Sequence, residues 1–389
     1  MKILFLSYYF EPDLSAGSFR ATALIKSLAG KLPANSRIDV VTTQPNRYHS
    51  YSSESLDVEH REAVKIHRVK LPSHKNGFLD QALAFRHYAQ FARRISKEAD
   101  YDLVFATSSR LMTAVLGAYL ARRLNTKLYL DIRDIFVDTI SDVFSRTITF
   151  WAVPVFGLLE RYAVRRATHV NLVSEGFRSY FDTKYVNTSF SYFTNGIDDA
   201  FLERQWSSHA VGNTCKVLYA GNIGDGQGLH LIVPELAKKL GPGYEFRVIG
   251  DGGKRLLLVQ NVEAIGVKNV ELVSPVKRDE LIREYEEADI LFLHLNDVPA
   301  FEKVLPSKVF EYAASGRPIL AGVAGYAAEF VKTEIPNASV FSPCNADDAV
   351  IAIKSLKLES QDRSSFKEKY ARDNICASLA DEILRVIEK

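Results

Sequence analysis

Lys308 and Glu311 stand three residues apart in the stretch Glu302–Pro318, EKVLPSKVFEYAASGRP. That spacing puts an ammonium and a carboxylate on one side of a helix. Pro306 suits the first helical turn, where its missing N–H costs nothing, and the free N–H groups around Ser307 can hold an anion. Lys308 adds a point charge beside them, and Glu311 can accept hydrogen bonds from sugar or ribose hydroxyls. Gly316 and Pro318 stop the helix. Such a segment is either one wall of a nucleotide-sugar site or an ordinary capped helix packed on a sheet.

Four further loops carry residues of the same kind. Gly221–Gly228, GNIGDGQG, places four glycines in eight residues after an apolar run. Glycines so dense between a strand and a helix imply a sharp turn or a close backbone approach to a ligand. The pattern is neither GxxxxGK[ST] nor GxGxxG. Ile249–Lys254, IGDGGK, follows the next apolar run with Gly250, Asp251 and Lys254. In Phe10–Arg20, FEPDLSAGSFR, Gly17 opens a helix and Arg20 lies one turn inside it, as a phosphate site or as a plain strand-to-helix loop. In Leu130–Asp138, LDIRDIFVD, Asp131 and Asp134 flank Arg133. These carboxylates either orient an acceptor hydroxyl or form an arginine ion pair that fixes a loop.

All five loops follow apolar runs of strand length that alternate with helical patterns, the mark of parallel sheets in an α/β protein. The first series of strands is Ile3–Ser7, Ile38–Thr42, Val64–Val69, Asp102–Ala106, Lys127–Ile132, His169–Val173 and Ser191–Phe193. Helices between them are expected at Ala16–Leu32, Leu79–Lys97, Leu111–Leu124 and Pro154–Arg166. A second series comprises Lys216–Ala220, Glu245–Ile249, Val270–Val273, Asp289–Leu293, Pro318–Gly322 and Ser339–Phe341, with helices at Leu229–Leu240, Arg278–Glu286 and Pro306–Ser315. The polar, turn-rich stretch Asn195–Thr214 reads as the join. A chain of 389 residues is too long for one typical core, so two doubly wound domains are expected, residues 1–200 and 212–371. A last amphipathic helix within 372–389 is expected to cross back to the first. Ligands in such folds sit at the carboxyl ends of the strands, here in a central cleft.

Composition narrows the functions. Three widely spaced cysteines, Cys215, Cys344 and Cys376, indicate neither a disulfide framework nor a zinc site, and the nine histidines show no metal-ligand spacing. No signal-peptide pattern opens the chain, and MKILFLS reads as a buried first strand. A cytoplasmic, reducing compartment is therefore expected. The formal charge is about +6 for residues 1–200 and about −4 for the remainder, so the first half is the one suited to an anionic surface. Its basic residues are dispersed and lack the aromatic-basic patterns of nucleic-acid binders.

The ordered set of motifs resembles the family-4 glycosyltransferases. It consists of the Gly17 loop, Asn195-Gly196-Ile197-Asp198, Tyr219-Ala220-Gly221-Asn222-Ile223-Gly224, Ile249-Gly250-Asp251-Gly252, Ala288-Asp289, and Pro306-Ser307-Lys308 with Glu311, Gly316 and Pro318. The resemblance covers essentially the whole chain. It implies a GT-B fold of two Rossmann-like domains, the second holding a UDP-sugar donor. It also implies a retaining, front-face transfer in which the leaving diphosphate helps to deprotonate the acceptor, with no metal and no cofactor. DIRDIF, GNIG with Gln227-Gly228, and PSKVFEY are similar to bacterial enzymes that add N-acetylated amino sugars such as N-acetylfucosamine in O-antigen or capsule assembly. There the acceptor is an undecaprenyl-diphosphate-linked sugar at the inner membrane surface.

On this resemblance the catalytic set is Lys308, Glu311, Asp131 and Asp134. The donor contacts are Gly221, Asn222, Gly224, Gln227, Gly250, Asp251, Lys254, Val276, Glu302, Lys303, Pro306 and Ser307. Gly17, Arg20 and Arg133 form an acceptor or phosphate loop. The chain departs from the family at two places. Lys303 stands where many members have the first of two glutamates, with Glu302 one residue off, and Asn222 and Gln227 stand where many have an arginine and a lysine against the diphosphate. Lys308 and the helix start would then carry more of that charge or, alternatively, another basic residue such as Lys254 would. These departures keep two other readings open, a UDP-sugar epimerase or hydrolase and a silent nucleotide-sugar-binding subunit. Finally, Thr147–Arg166 (TITFWAVPVFGLLERYAVRR), interrupted by Pro154, is too short in its uncharged part to span a bilayer and reads as an interfacial helix or a buried one.

Overall fold

The structure is a computed structural model that describes the chain except residues 14, 46–54, 72–77, 109, 138–145 and 207–211, together with the side chains of 78–79 and 146–151. It divides into two compact units, residues 1–195 with 372–389, and residues 196–371.

The first unit runs β1 (Lys2–Leu6), α1 (Ala16–Lys31), β2 (Arg37–Thr43), β3 (Val58–Arg61), β4 (Val64–Val69), α2 (Phe78–Ile95), β5 (Leu103–Ser108), α3 (Leu111–Arg123), β6 (Lys127–Ile132), α4 (Arg146–Arg166), β7 (His169–Leu172), α5 (Arg178–Lys184) and β8 (Phe190–Ser191). Its eight-stranded sheet has the order β3-β4-β2-β1-β5-β6-β7-β8. The central strands are buried on both faces and carry no alternation, which is why they read as continuous apolar runs. One strand breaks the parallel expectation: β3 pairs antiparallel with β4 at the sheet edge, where its exposed, polar VEHR gave no apolar signal.

The second unit begins at Gly196, so the expected linker starts inside it. Ile197 and Phe201, on the short α6 (Asp199–Leu202), are buried in its core. It continues through β9 (Cys215–Asn222), α7 (Leu229–Leu240), β10 (Tyr244–Asp251), α8 (Arg255–Ile265), β11 (Val270–Val273), α9 (Arg278–Glu287), β12 (Ile290–His294), α10 (Lys308–Ala314), β13 (Ile319–Gly322), α11 (Gly325–Glu334), β14 (Ala338–Phe341), α12 (Ala346–Ser355) and α13 (Ser364–Lys369). The strand order is β11-β10-β9-β12-β13-β14, with every described pairing parallel. The closing helix α14 (Arg372–Glu388) belongs to the first unit. It buries Cys376, Leu379, Ala380 and Ile383 in one cluster with Leu24, Ile25 and Leu28 of α1. Glu382 adds hydrogen bonds from Tyr129 (2.5 Å) and Ser191 (2.7 Å). Both strand orders reverse about a central crossing, which places loops from successive strands at the carboxyl edge of each sheet.

Pro154 lies inside α4 on its exposed side and does not end the helix. Glu160, Ala163 and Val164 of that helix are buried, whereas Val155, Leu158, Arg161 and Arg165 face solvent. The segment is thus half core and half open surface. Among the described residues no helix is long and apolar enough to cross a membrane.

Candidate active site

In the second unit, β9 and β10 run further than their apolar residues imply. Gly221 pairs with Gly250 and Asn222 with Asp251, so the first part of each glycine cluster is strand rather than loop. The pairing gives these glycines a packing role in the sheet. A Cβ on Gly250 would stand 1.8 Å from the Gly221 carbonyl oxygen, and one on Gly252 2.5 Å from that of Ile223. The two strand ends cross too closely for side chains. Gly228 is left-handed (φ 59°) at the start of α7, with Asn296 against it. Gly221 lies against Lys308, whose Cε a Cβ there would meet at 2.4 Å.

Lys308 therefore lies along the end of β9. Its Nζ is 3.9 Å from Glu311 Oε2, and both side chains keep some exposure to solvent. Glu311 also accepts a hydrogen bond from the Tyr285 hydroxyl at 3.3 Å, and Tyr312, on the same short helix, receives the Ala220 N–H at 3.1 Å. Helix α10 begins at Lys308, so Pro306 and Ser307 precede it rather than forming its first turn, and Ser307 makes no side-chain cap. The proline does its work in the approach, where its carbonyl accepts from Val309 N.

Asn222 and Gln227, at the positions of the absent basic pair, bond to each other. Asn222 Nδ2 donates to Gln227 Oε1 at 2.8 Å, and Gly224 N donates to the same oxygen at 3.2 Å. Lys254 pairs with Asp225 at 3.0 Å, so its charge is shared within the loop. Asp251 accepts from Gly252 N, closing its own turn. Val276 packs against the unit's core. Glu302 is exposed, and Glu302 and Lys303 sit on a short 3-10 turn, Pro299–Lys303, that packs on α11. Gly325 (φ 56°) opens α11 there, because a Cβ would stand 2.3 Å from the Glu302 carbonyl oxygen.

Residues that the sequence reading passed over hold this loop in shape. His294, at the end of β12, is fully buried and bonds Gln227 O at 2.7 Å through Nδ1, while its Nε2 lies 3.0 Å from Cys344 N. Only the neutral ring with Nδ1–H satisfies both partners, since a carbonyl must be given a proton and an N–H must find a lone pair. Burial accordingly pushes its pKa down to about 4, outweighing the Gln227 bond. Asn296 supports the same turn through the carbonyls of Asp225 and Gly226. The signal was present: a histidine ending an apolar strand, ILFLH, must find two partners when buried.

In the first unit the structure separates residues that the sequence grouped. Asp131 is buried with both oxygens engaged: Arg20 Nη2 at 2.9 Å and Asn171 Nδ2 at 2.7 Å on Oδ1, and Arg20 Nε at 3.1 Å on Oδ2. Arg20 is spent on Asp131 and on the carbonyls of Phe193 and Thr194. Burial alone would raise the Asp131 pKa, but the Arg20 guanidinium outweighs it and holds the carboxyl below its ordinary range. A carboxylate so enclosed is placed neither to orient an acceptor hydroxyl nor to take up a proton, and four of the five Arg20 N–H groups are already engaged. Both are corrected to a buried clamp that ties α1 and β6 to the segment after β8. Arg133 donates to Asn195 Oδ1 at 3.2 Å and lies against Gly17, where a Cβ would stand 3.7 Å from Nη1. Asp134 is exposed beside it. Gly17, Arg133 and Asp134 thus share one edge, without Arg20 and Asp131.

Among the described residues one cluster, Asp39, His67 and Glu98, has the makings of a metal site. It does not fit a cation, because Arg37 already occupies Asp39 at 2.6 Å.

Two Rossmann-type units of this topology define a GT-B fold. Residues 21–190 match the family described as "Glycosyl transferase 4-like domain" and residues 203–373 that described as "Glycosyl transferases group 1", which between them span most of the chain. The chain belongs to these glycosyltransferases. No curated protein matches it significantly. Among solved structures, Alr3699/HepE of Anabaena, described in complex with UDP, is 17% identical with a TM-score of 0.66, covering 99% of this chain and 100% of that one. WaaG, described as a glycosyltransferase involved in lipopolysaccharide biosynthesis, is 13% identical with a TM-score of 0.63 over 97% and 95%. The trehalose 6-phosphate synthase of Burkholderia multivorans reaches a TM-score of 0.69 at 12% identity over 100% and 96%.

Proposed function

We propose that this protein is a retaining glycosyltransferase that moves a sugar from a UDP-sugar to a lipid-linked saccharide acceptor in cell-surface polysaccharide assembly. The observation that carries the reading is Lys308 laid over Gly221 with Glu311 beside it. That arrangement sets a cation and a hydrogen-bond acceptor together where a nucleotide sugar would lie at the carboxyl ends of β9 and β12. Lys308 would stabilise the departing diphosphate, which is the chief demand of a transfer with no protein nucleophile. Glu311 would hold ribose hydroxyls. UDP as the nucleotide is supported by the UDP-bound fold relative, and an N-acetylated amino sugar by the motifs DIRDIF, GNIG and PSKVFEY. Gly17, Arg133 and Asp134 would serve the acceptor, at the inner face of the cytoplasmic membrane.

The amide pair Asn222–Gln227 leaves Lys308 as the principal cation for the diphosphate, so the reading depends heavily on it. Incubation with UDP-sugars and an undecaprenyl-diphosphate-linked saccharide, with UDP release measured, tests it. UDP formed only with acceptor is the expected result. UDP formed equally without acceptor would instead mark a hydrolase or epimerase, and donor binding without turnover a silent subunit.

A further inference from the structure

In the sheet of the first unit β1 lies between β2 and β5, so the chain leaves β1 toward one side and returns for β5 on the other. The carboxyl ends of these two strands are therefore the lips of a switch-point crevice, where open α/β sheets take their ligands. Tyr8 and Tyr9 follow β1 on one lip, and Arg110 follows β5 on the other. The Arg110 guanidinium lies over the Tyr8 ring, with Cζ 4.4 Å from its centroid, and Nη2 donates to the Tyr9 hydroxyl at 3.1 Å. The platform beneath is fixed from behind. Tyr88 meets Tyr8 edge-on at 5.2 Å and anchors its own hydroxyl on the Val41 carbonyl at 2.9 Å, while the Thr43 hydroxyl donates to the Tyr8 carbonyl at 2.8 Å. Tyr8 and Tyr9 are buried, whereas Arg110 is partly exposed.

The local structure disfavours an arginine at this position. Arg110 is the N-cap of α3, where it makes no side-chain capping bond, and the first turn of that helix contains no acid. Thr113, the one polar side chain in that turn, is buried with its hydroxyl unpartnered among the described residues, so it caps nothing either. The N–H groups that open a helix carry partial positive charge, which favours a carboxylate beside them and disfavours a cation. The described side-chain partners of Arg110 are the two tyrosines, whose rings attract a guanidinium without neutralising it. One of its five N–H groups is engaged. A stacked guanidinium keeps the others in its own plane, directed past the ring. An oxyanion in that plane would meet Arg110 and the uncapped start of α3 together, and would turn an unfavourable pairing of cation with helix dipole into two donors on one anion. A residue so set against its own helix marks a position shaped by a ligand.

We propose that Arg110 is a specificity-determining residue that selects an acceptor carrying an oxyanion, either the carboxylate of an acidic sugar or a phosphate of the lipid diphosphate. The proposal rests on the acceptor reading above for its role, whereas anion binding at Arg110 needs no turnover. Calorimetric titration of the full chain, with UDP in excess to fill the donor site, tests it with methyl glucuronide and inorganic diphosphate as probes and methyl glucoside as the neutral control. An anionic probe should bind and methyl glucoside should not. Arg110→Gln should weaken that binding by about tenfold to a hundredfold, the loss of a charge-assisted contact. A loss confined to methyl glucuronide assigns an acidic sugar, and one confined to diphosphate assigns the lipid phosphates. In the transfer assay the same variant should raise the acceptor KM by a similar factor, with the loss falling on that KM rather than on kcat. Arg110→Asp supplies the cap that α3 lacks, so it should abolish anion binding while holding or raising the melting temperature, which a structural role would not produce. Undiminished binding of both probes by Arg110→Gln, equal binding of methyl glucoside, or a melting temperature lowered by about 5 °C or more in Arg110→Asp would overturn the proposal. Arg110-dependent anion binding without acceptor-dependent UDP release would sink the transferase reading and leave the anion site standing. Transfer with an unchanged acceptor KM in Arg110→Gln would do the reverse.

Discussion

Asp131 offers the sharpest test, because the family resemblance makes it catalytic and the structure a clamp. Replacing it by alanine leaves the Arg20 guanidinium, 1% exposed, without its counter-charge. Breaking one member of such a buried pair costs about 3–5 kcal/mol. For a unit of this size each kcal/mol lowers the melting temperature by about 2–4 °C, so Asp131→Ala should shift the first unit's calorimetric transition down by about 6–20 °C. Adding Arg20→Met removes the orphaned charge, although the Phe193 and Thr194 carbonyls then lose their donor. The double variant should be less destabilised than the two singles together by about 1–3 kcal/mol. Asp131→Asn keeps the shape, and its turnover per folded molecule should stay within about fivefold of the natural protein. The pH profile follows from the lowered pKa: the stability from Asp131 is complete above the unfolded carboxyl value of about 4 and is lost as pH falls through the lower folded value. A hundredfold loss of turnover in a stably folded Asp131→Asn would refute the clamp and restore the carboxylate to the chemistry.

Lys308→Ala should lower kcat for donor-dependent transfer by about a hundredfold with the melting curve intact, the cost of one preorganised charge at a leaving group. Steady-state kinetics with a UDP-release assay check this. Gly250→Ala should destabilise the second unit by about 3 kcal/mol or more, because its Cβ would meet the Gly221 carbonyl at 1.8 Å and both atoms belong to paired strands; urea unfolding reads it. His294 should make the second unit acid-sensitive. Its folded pKa of about 4 lies below the ordinary value of 6.5, so the unfolded chain takes up the proton first and stability falls from about pH 6.5 downward, by about 3 kcal/mol at pH 4. His294→Gln should flatten that slope.

The strands buried on both faces, β1, β2, β5, β6, β9 and β12, were legible because burial on two sides demands unbroken apolar residues. β3 was not, being a polar edge strand, and neither were α8, α11 and α12, whose amphipathic patterns are short and follow turn residues. At the site, Lys308 and Glu311 could be paired from their spacing alone, as could the family to which their surroundings point.

Local order along the chain therefore determined the α/β class, the two strand series, and the helix start that sets Lys308 beside Glu311, since each depends on residues a few positions apart. Only the tertiary structure decided which charges remain for chemistry. Asp131 meets Arg20 across 111 positions, Lys254 meets Asp225, and Asn222 meets Gln227. Whether a charged group is spent on a partner or left for a substrate depends on what lies within about 3 Å of it. Spacing in sequence cannot report that for Asp131, whose partners come from α1 and β7, far from it along the chain.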